Sequence, residues 1–294
     1  MIRIERIAYA VLETPDLPAA VAHYTQVMGL TIVDATNDTA YLTTSVDHHN
    51  IVLRKGTSAR CVTLGFQVAA GTDLNGYVKQ IESQSIKTKR SKDAQPNIAD
   101  LVSFEDTKGT QIEVFAEYQA VSKPYAKTGI VPNKLGHVAY NVTDIDAAVK
   151  FYCDVLGFRV SDWMGDFFAF LRCSPDHHTI NLVKAEKNKM HHIAFELRDW
   201  GHVKDACDQL YECKTPLIWG PLRHGIGHNI SMYHRNADQQ IMEHYCELDR
   251  VNENLGVFEP RRTHRDYPQR PKVWTDMMEA ASVWGVPPPE GFLD

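Results

Sequence analysis

The chain has 294 residues, 44% of them hydrophobic and 23% charged, which suits roughly two domains with packed cores and argues against global disorder. A net charge of -6 disfavours nucleic acid and anionic membranes as partners, and no apolar run is long enough to cross a bilayer. The six cysteines show no CxxC spacing and read as reduced thiols, and Met1 leads straight into a strand without a hydrophobic leader, so a cytoplasmic protein is expected.

The first predicted strand is Glu5-Arg6-Ile7-Ala8-Tyr9-Ala10-Val11. A helix follows, with Leu17, Ala20, Val21, Tyr24 and Met28 along one stripe and Gly29 at its end. Strands are predicted at 41–43, 50–53 and 64–68, a second helix at 73–83, and a closing strand at 111–115. A linker from 118 to 134 carries Pro124, Gly129 and Pro132, which break regular structure. The order then restarts. Gly136-His137-Val138-Ala139-Tyr140-Asn141-Val142 reads as the first strand written again, with His137 where the first copy has Arg6. Ile145, Ala148, Val149, Tyr152 and Leu156 repeat the helix stripe, with Asp144 as N-cap and Gly157 as C-cap. The helices share a constant offset, and the first copy is assigned a slightly longer entry loop. Strands at 168–171, 179–183 and 193–197, a helix at 200–212 and a closing strand at 241–245 complete the second half. Each half is thus a pair of βαβββ units in an α+β fold. Beyond Asp249 the tail carries Pro260, Pro268, Pro271 and Pro287 to Pro289, with one short helix within 274–283; it is expected to pack over a domain, with Trp274 and Trp284 as anchors.

Side chains alternate between the faces of a strand. Val138, Tyr140 and Val142 are expected towards the helices, with His137, Ala139 and Asn141 opposite. After His192, Ile193, Phe195 and Leu197 face the helices, leaving His192 and Ala194 opposite, while Glu243 shares its face with Ile241 and Tyr245. Register favours His192 over His191, which should point to the other face. His137, His192 and Glu243 therefore belong together on the inner face of one curved sheet. Two imidazoles and a carboxylate form the facial donor set of non-haem Fe(II) sites, and would also suit zinc. A lone strand histidine is usually structural, so the trio carries the reading. Arg6 and Thr63 stand where His137 and His192 stand, and Glu113 alone matches Glu243. One working site and one silent half are expected.

The modules, with Leu135-Gly136-His137-Val138, His191-His192-Ile193-Ala194-Phe195 and Glu243, resemble the vicinal-oxygen-chelate superfamily. The stretch Trp219-Gly220-Pro221-Leu222-Arg223-His224-Gly225-Ile226-Gly227-His228-Asn229, continuing through Met232-Tyr233 to Glu243, is similar to the signature of type I extradiol ring-cleavage dioxygenases, the catechol 2,3-dioxygenase and dihydroxybiphenyl dioxygenase group. The resemblance implies two tandem domains, each a curved open barrel of paired βαβββ modules: 1–118 non-catalytic, 135–250 catalytic, and 251–294 a tail packed on the catalytic domain. It implies Fe(II), or Mn(II) as in some relatives, held by His137, His192 and Glu243. His178 matches the family's acid–base histidine, with His177 the other candidate, and His224 and Tyr233 match residues that hydrogen-bond the substrate oxygens. The implied activity is aromatic catabolism: a homo-oligomer opens a catechol beside its diol with O2, giving a semialdehyde or keto acid. A metal-dependent isomerase or lyase of the same superfamily is the alternative. Two departures stand out. Leu222 occupies a place that is often Gly, and Asn236-Ala237-Asp238-Gln239 replaces a turn usually built with Pro and Gly. His177, His228 and His244 read more simply as structural residues.

Overall fold

A computed structural model describes residues 1–44, 46–120, 128–259 and 269–293. Pro124 of the expected linker and Pro260 and Pro268 of the tail lie outside the described residues. The chain forms four βαβββ modules in two compact units. Unit 1 comprises 1–135, 150–157 and 236–238; unit 2 comprises 136–149, 158–235 and 239–294. The first module is β1 (Ile4–Thr14), α1 (Leu17–Ala22), β2 (Thr31–Ala35), β3 (Thr39–Thr43) and β4 (Ile51–Lys55). The second is β5 (Arg60–Val68), α2 (Leu74–Glu82), β6 (Lys89–Gln95), β7 (Ile98–Glu105) and β8 (Gln111–Phe115). The third is β9 (Lys134–Val142), α3 (Ile145–Lys150), β10 (Arg159–Met164), β11 (Phe168–Arg172) and β12 (Ile180–Lys184). The fourth is β13 (Lys189–Glu196), α4 (Trp200–Glu212), β14 (Leu217–Arg223), β15 (Ile230–Arg235) and β16 (Ile241–Cys246). The tail adds β17 (Arg250–Asn252), β18 (Val257–Glu259), β19 (Lys272–Trp274) and α5 (Met277–Ala281).

Paired modules share one mixed sheet that curls into a half-barrel. The strand order is β2-β3-β4-β1-β5-β8-β7-β6 in the first sheet and β14-β15-β16-β13-β9-β12-β11-β10 in the second, where β19 adds a ninth strand. Each module closes by a parallel pairing of its first and last strands, β1 on β4, β5 on β8, β9 on β12 and β13 on β16. Local chemistry starts the helices. Asp16 accepts from the Ala19 amide, Asp73 from the Asn75 and Gly76 amides, and Asp199 from the His202 amide, satisfying N–H groups that the first turn leaves unpaired. The stripe Val203, Ala206 and Leu210 then buries one face of α4.

The structure departs from the expected pattern in three places. The helices expected to run unbroken to Gly29 and Gly157 each change after one and a half turns into a wider π-helical turn, His23–Val27 and Phe151–Val155. Tyr24, Val27 and Met28 are all buried, as are Tyr152, Val155 and Leu156. Both terminal glycines take the positive φ that favours glycine, +73° and +78°.

The second departure is one of register. β4 sets Ile51 opposite Ala10, and β12 sets Ile180 opposite Val138. Ile51 and Ile180 each lie two residues after a His-His pair, His48-His49 and His177-His178. Val138 therefore matches Ala10, and His137 matches Tyr9 rather than Arg6. The entry loops are equal: two residues separate β1 from α1 and β9 from α3. Ile7-Ala8-Tyr9 and Val138-Ala139-Tyr140 look alike because both suit a buried strand, not because they correspond. β1 also carries bulges between Ile4 and Arg6 and between Ile7 and Tyr9, which reset the alternation that the comparison relied on.

Third, the tail extends the sheet of unit 2. β19 runs parallel to β10, with Trp274 opposite Met164. Trp274 is buried and donates its indole N–H to Asp162 at 2.8 Å, whereas Trp284 is 48% exposed and packs edge-on against Trp200 and under the Arg223 guanidinium. Among the described residues no helix is long and apolar enough to cross a membrane.

Candidate active site

β16, β13 and β9 are neighbours in the second sheet, and each contributes one polar side chain to the same point. His137 Nε2 and His192 Nε2 each lie 3.1 Å from Glu243 Oε2 and 3.2 Å from each other. All three residues are at most 4% exposed. Ala194 lies opposite Glu243 in the β13–β16 ladder, leaving room beside the donors. Ligands about 2.2 Å from one ion, at the right angles of an octahedral face, lie about 3.1 Å apart. The observed triangle has that edge length, so the donor set fits a divalent cation.

The carboxylate is prepared for one role. Its Oε1 accepts from Ser231 Oγ at 2.6 Å and Asn229 Nδ2 at 3.1 Å, which leaves only Oε2 towards the imidazoles. Burial opposes ionisation of Glu243, but the two hydrogen bonds donated to Oε1 favour the ionised carboxylate. Burial likewise keeps His137 neutral by lowering its pKa. Neutral imidazoles and an ionised carboxylate are the protonation states that metal coordination needs.

His192 has a second partner. His191 was expected on the opposite face; instead its ring lies beside His192 and lines the same cleft. His191 Nδ1 is 2.6 Å from His192 Nδ1, and its Nε2 is 2.6 Å from the Phe292 carbonyl oxygen. Burial, then the neighbouring His192, push the pKa of His191 down to about 3. Alternation is weak guidance here because His191 sits near the start of β13, where the tail supplies a partner from outside the sheet.

Of the other candidates, His178 packs its ring 4.4 Å from that of His137 and lines the cleft. His177 lies behind it, fully buried, with Nδ1 3.0 Å from His178 Nδ1 and Nε2 3.3 Å from Asp162 Oδ2. Burial first, then His137 and His177, push the His178 pKa well below its ordinary value. His224 Nδ1 is 2.6 Å from the Ala281 carbonyl oxygen, so it donates there, and Nε2 accepts from the Tyr233 hydroxyl at 2.8 Å. Tyr233 lies directly opposite Glu243 across the β15–β16 ladder. Burial and the Glu243 charge raise its pKa well above 10, so the phenol keeps its proton. His228 pairs with Asp249 at 2.8 Å, and His244 stacks on His234; neither lines the cleft. The expected turn holds without Pro or Gly: Asn236 Oδ1 accepts from the Asp238 amide, and Gln239 takes the positive φ, 63°.

The cleft holds about 620 Å³ of empty space, the open solvent at its mouth included. Met164, Phe168, Phe170, Ile226, Phe292 and Leu293 form its apolar wall. Sequence reasoning passed over Asp162, His191, Asn229 and Ser231. The repeated Asp-His-His triplets, Asp47-His48-His49 and Asp176-His177-His178, were the signal for part of this, since they fix the true alignment of the halves.

Unit 1 fills the equivalent place differently. Tyr9 lies opposite Gly65, and Gly65 opposite Glu113. The Tyr9 hydroxyl donates to Glu113 Oε2, Gln95 Nε2 donates to the same oxygen at 2.9 Å, and Gln111 Nε2 donates to Oε1 at 3.0 Å. Arg6 turns to Asp47 in a two-pronged ion pair at 2.6 and 3.0 Å. Protein donors thus occupy the carboxylate that in unit 2 faces two imidazoles.

Comparison with known proteins agrees with this architecture. The chain is 24% identical over 278 residues to an iron-dependent extradiol dioxygenase of Rhodococcus jostii (strain RHA1), covering 86% of this chain and 93% of that protein. Its fold is similar to that of a Mn(II)-bound glyoxalase from Novosphingobium aromaticivorans, with a TM-score of 0.86, 25% identity, and coverage of 100% of this chain and 95% of that one. It is also similar in fold to homoprotocatechuate 2,3-dioxygenase from Brevibacterium fuscum, solved as an anaerobic complex with 3,4-dihydroxyphenylacetate, with a TM-score of 0.85, 24% identity, and coverage of 99% and 92%. A sequence profile matches residues 6–114 and 134–241, one stretch in each half, and by that match the chain belongs to the Glyoxalase/Bleomycin resistance protein/Dioxygenase superfamily.

Proposed function

We propose that this protein is an extradiol ring-cleavage dioxygenase: it opens a catechol-type ring beside the diol and leaves both atoms of O2 in a semialdehyde or keto acid. The observation that carries the reading is the buried His137–His192–Glu243 triangle at the floor of an apolar cleft, flanked by His178, His224 and Tyr233. The full-length likeness to an iron-dependent extradiol dioxygenase supports it. We assign 135–250 as the catalytic domain, 251–294 as its tail and 1–118 as the non-catalytic half. The enzyme is read as a cytoplasmic homo-oligomer that needs neither membrane nor nucleic acid.

Fe(II), with Mn(II) as the alternative, would be held by His137, His192 and Glu243, and when bound supplies Lewis acidity for the diol and a route for electrons between ring and O2. The remaining work falls to side chains. Ser231 and Asn229 hold Glu243 so that one oxygen faces the site. Tyr233 offers a phenolic proton, and His224 Nε2, oriented by the Ala281 carbonyl, can accept one; together they orient the diol oxygens and steady the charge left as a hydroxyl ionises. The Asp162 carboxylate can only accept, so His177 donates to it from Nε2, and its Nδ1 serves as the acceptor for His178 Nδ1–H. His178 Nε2 is thereby a base, able to take a proton from the diol and return it as the ring opens. Phe168 and Phe170 on β11 help keep water from the reacting oxygens.

The test is to load purified protein anaerobically with Fe(II), add catechol, admit air, and follow O2 with an electrode while recording the visible spectrum. One O2 consumed per catechol and a new absorbance band are expected. The alternative, a metal-dependent isomerase or lyase, rests on the fold likeness to a Mn(II)-bound glyoxalase, while the relatives named as extradiol dioxygenases favour ring cleavage over it. It predicts turnover without oxygen uptake, and that result across a panel of catechols would overturn the dioxygenase reading.

A further inference from the structure

The two ring nitrogens of His192 have separate tasks, and the molecule settles which one carries the proton. The Phe292 oxygen is a backbone carbonyl and can only accept, so at 2.6 Å His191 must donate to it from Nε2. A neutral imidazole has one N–H, which leaves His191 Nδ1 as an acceptor. At 2.6 Å from it, His192 Nδ1 must be the donor. His192 Nε2 is then left with its lone pair, and that is the atom in the triangle with His137 Nε2 and Glu243 Oε2. His137 has no such support: its Nδ1 finds no hydrogen-bond partner among the described residues, and packing against Tyr245 and His178 holds the ring.

We infer that His191 is a positioning residue for the metal centre, and that the C-terminal strap, through the Phe292 carbonyl, fixes the tautomer and the ring angle of the ligand His192. The inference rests on the metal-site reading proposed above, but not on the reaction assigned to it. The strap is tied down at this point. The Phe292 ring packs edge-on against His191 at 5.3 Å, Tyr233 at 5.2 Å and Trp219 at 4.8 Å. The next carbonyl, that of Leu293, accepts from Asn141 Nδ2 at 3.0 Å. Two successive carbonyls of one turn, closed by the Phe292 amide on the Pro289 carbonyl, thus hold side chains from β13 and β9, the two strands that carry the histidine ligands. Outer partners that orient a ligating histidine typically change metal affinity by about 10–100-fold when removed.

The experiment uses Mn(II), whose free-ion EPR signal disappears on binding, so affinity is read without substrate or oxygen. Wild type is compared with His191→Asn, His191→Phe and a chain ending at Gly291. Asparagine can present an oxygen near the Nδ1 position and should bind within about threefold of wild type. Phenylalanine cannot accept, and the shortened chain frees His191 to take either tautomer; both should weaken binding by about 10–100-fold. The zero-field splitting of the remaining bound Mn(II) should change in those two and stay wild-type in His191→Asn. If His191→Phe does not fold, the shortened chain carries the test. The inference is overturned if the shortened chain or His191→Phe binds Mn(II) like wild type, or if His191→Asn loses as much as His191→Phe. Wild-type protein that binds no Mn(II) would overturn the metal site along with it, whereas protein that binds as described but consumes no O2 would count only against the dioxygenase reading.

Discussion

Two histidines stand next to each other in the chain at 177 and 178, yet their surroundings differ, because one faces a carboxylate and the other a cleft. Asp162 is held by the Trp274 indole and the Lys272 amide, so its position is fixed by the tail rather than by its own strand. It fixes His177, and His177 fixes which nitrogen of His178 is free. Because burial keeps His178 neutral, its capacity to take a proton is available throughout the neutral range. His178→Ala should retain wild-type metal content, measured by elemental analysis of anaerobically loaded protein, and lose about 10²–10⁴-fold in kcat. Normal turnover in that variant would show that the proton goes elsewhere.

At the scale of single elements, β9, β13 and β16 have counterparts β1, β5 and β8 that share their ladder but, of the three donors, only the carboxylate. Tyr9, Thr63 and Glu113 stand where His137, His192 and Glu243 stand, and Glu113 already accepts three protein hydrogen bonds. A carboxylate so satisfied has little left to offer a cation. Glu113→Gln keeps an acceptor in place, so metal stoichiometry and kcat should both stay within about twofold of wild type, with the cost, about 1 kcal/mol per weakened hydrogen bond, falling on stability. Loss of metal from that variant would mean the first half is not silent. The same strands show what could be read from sequence alone. The clustering of His137, His192 and Glu243 was legible because the second half has all three donors where the first has only the carboxylate. The Arg6 match failed because apolar alternation constrains a face, not a register, and bulges in β1 are invisible to it. His191, Asp162 and the role of β19 were not legible, since each depends on a tail segment far away in sequence whose partner no local pattern specifies. The π-helical turns also escaped, because the buried stripe survives one wider turn almost unchanged.

The whole molecule is a duplicated sheet protein that carries 14 histidines, many of them buried, and this should be visible in its stability. In unit 1, burial lowers the pKa of His23 to about 4; for His49, burial and the adjacent His48 lower it to about 3. A histidine in the unfolded chain titrates near 6.5, so below that pH the unfolded state binds protons that these two folded residues refuse. Their contribution to stability is therefore complete above about pH 6.5 and is lost as the pH falls towards the folded values. Each should add a slope approaching about 1.4 kcal/mol per pH unit in that window. Urea unfolding of the metal-free protein, held in chelator so that ligand histidines contribute no binding energy, should show stability falling steeply between pH 6.5 and pH 5. The double substitution His23→Asn, His49→Asn removes both groups and should make that part of the profile shallower by up to about 2.7 kcal/mol per pH unit, leaving the share of buried imidazoles such as His178, His191 and His224 and, at lower pH, the loss that belongs to carboxylates such as Asp100, paired with Arg90 and Lys92. An unchanged slope in the double variant would place the acid sensitivity elsewhere, with the buried imidazoles of unit 2 as the next groups to replace.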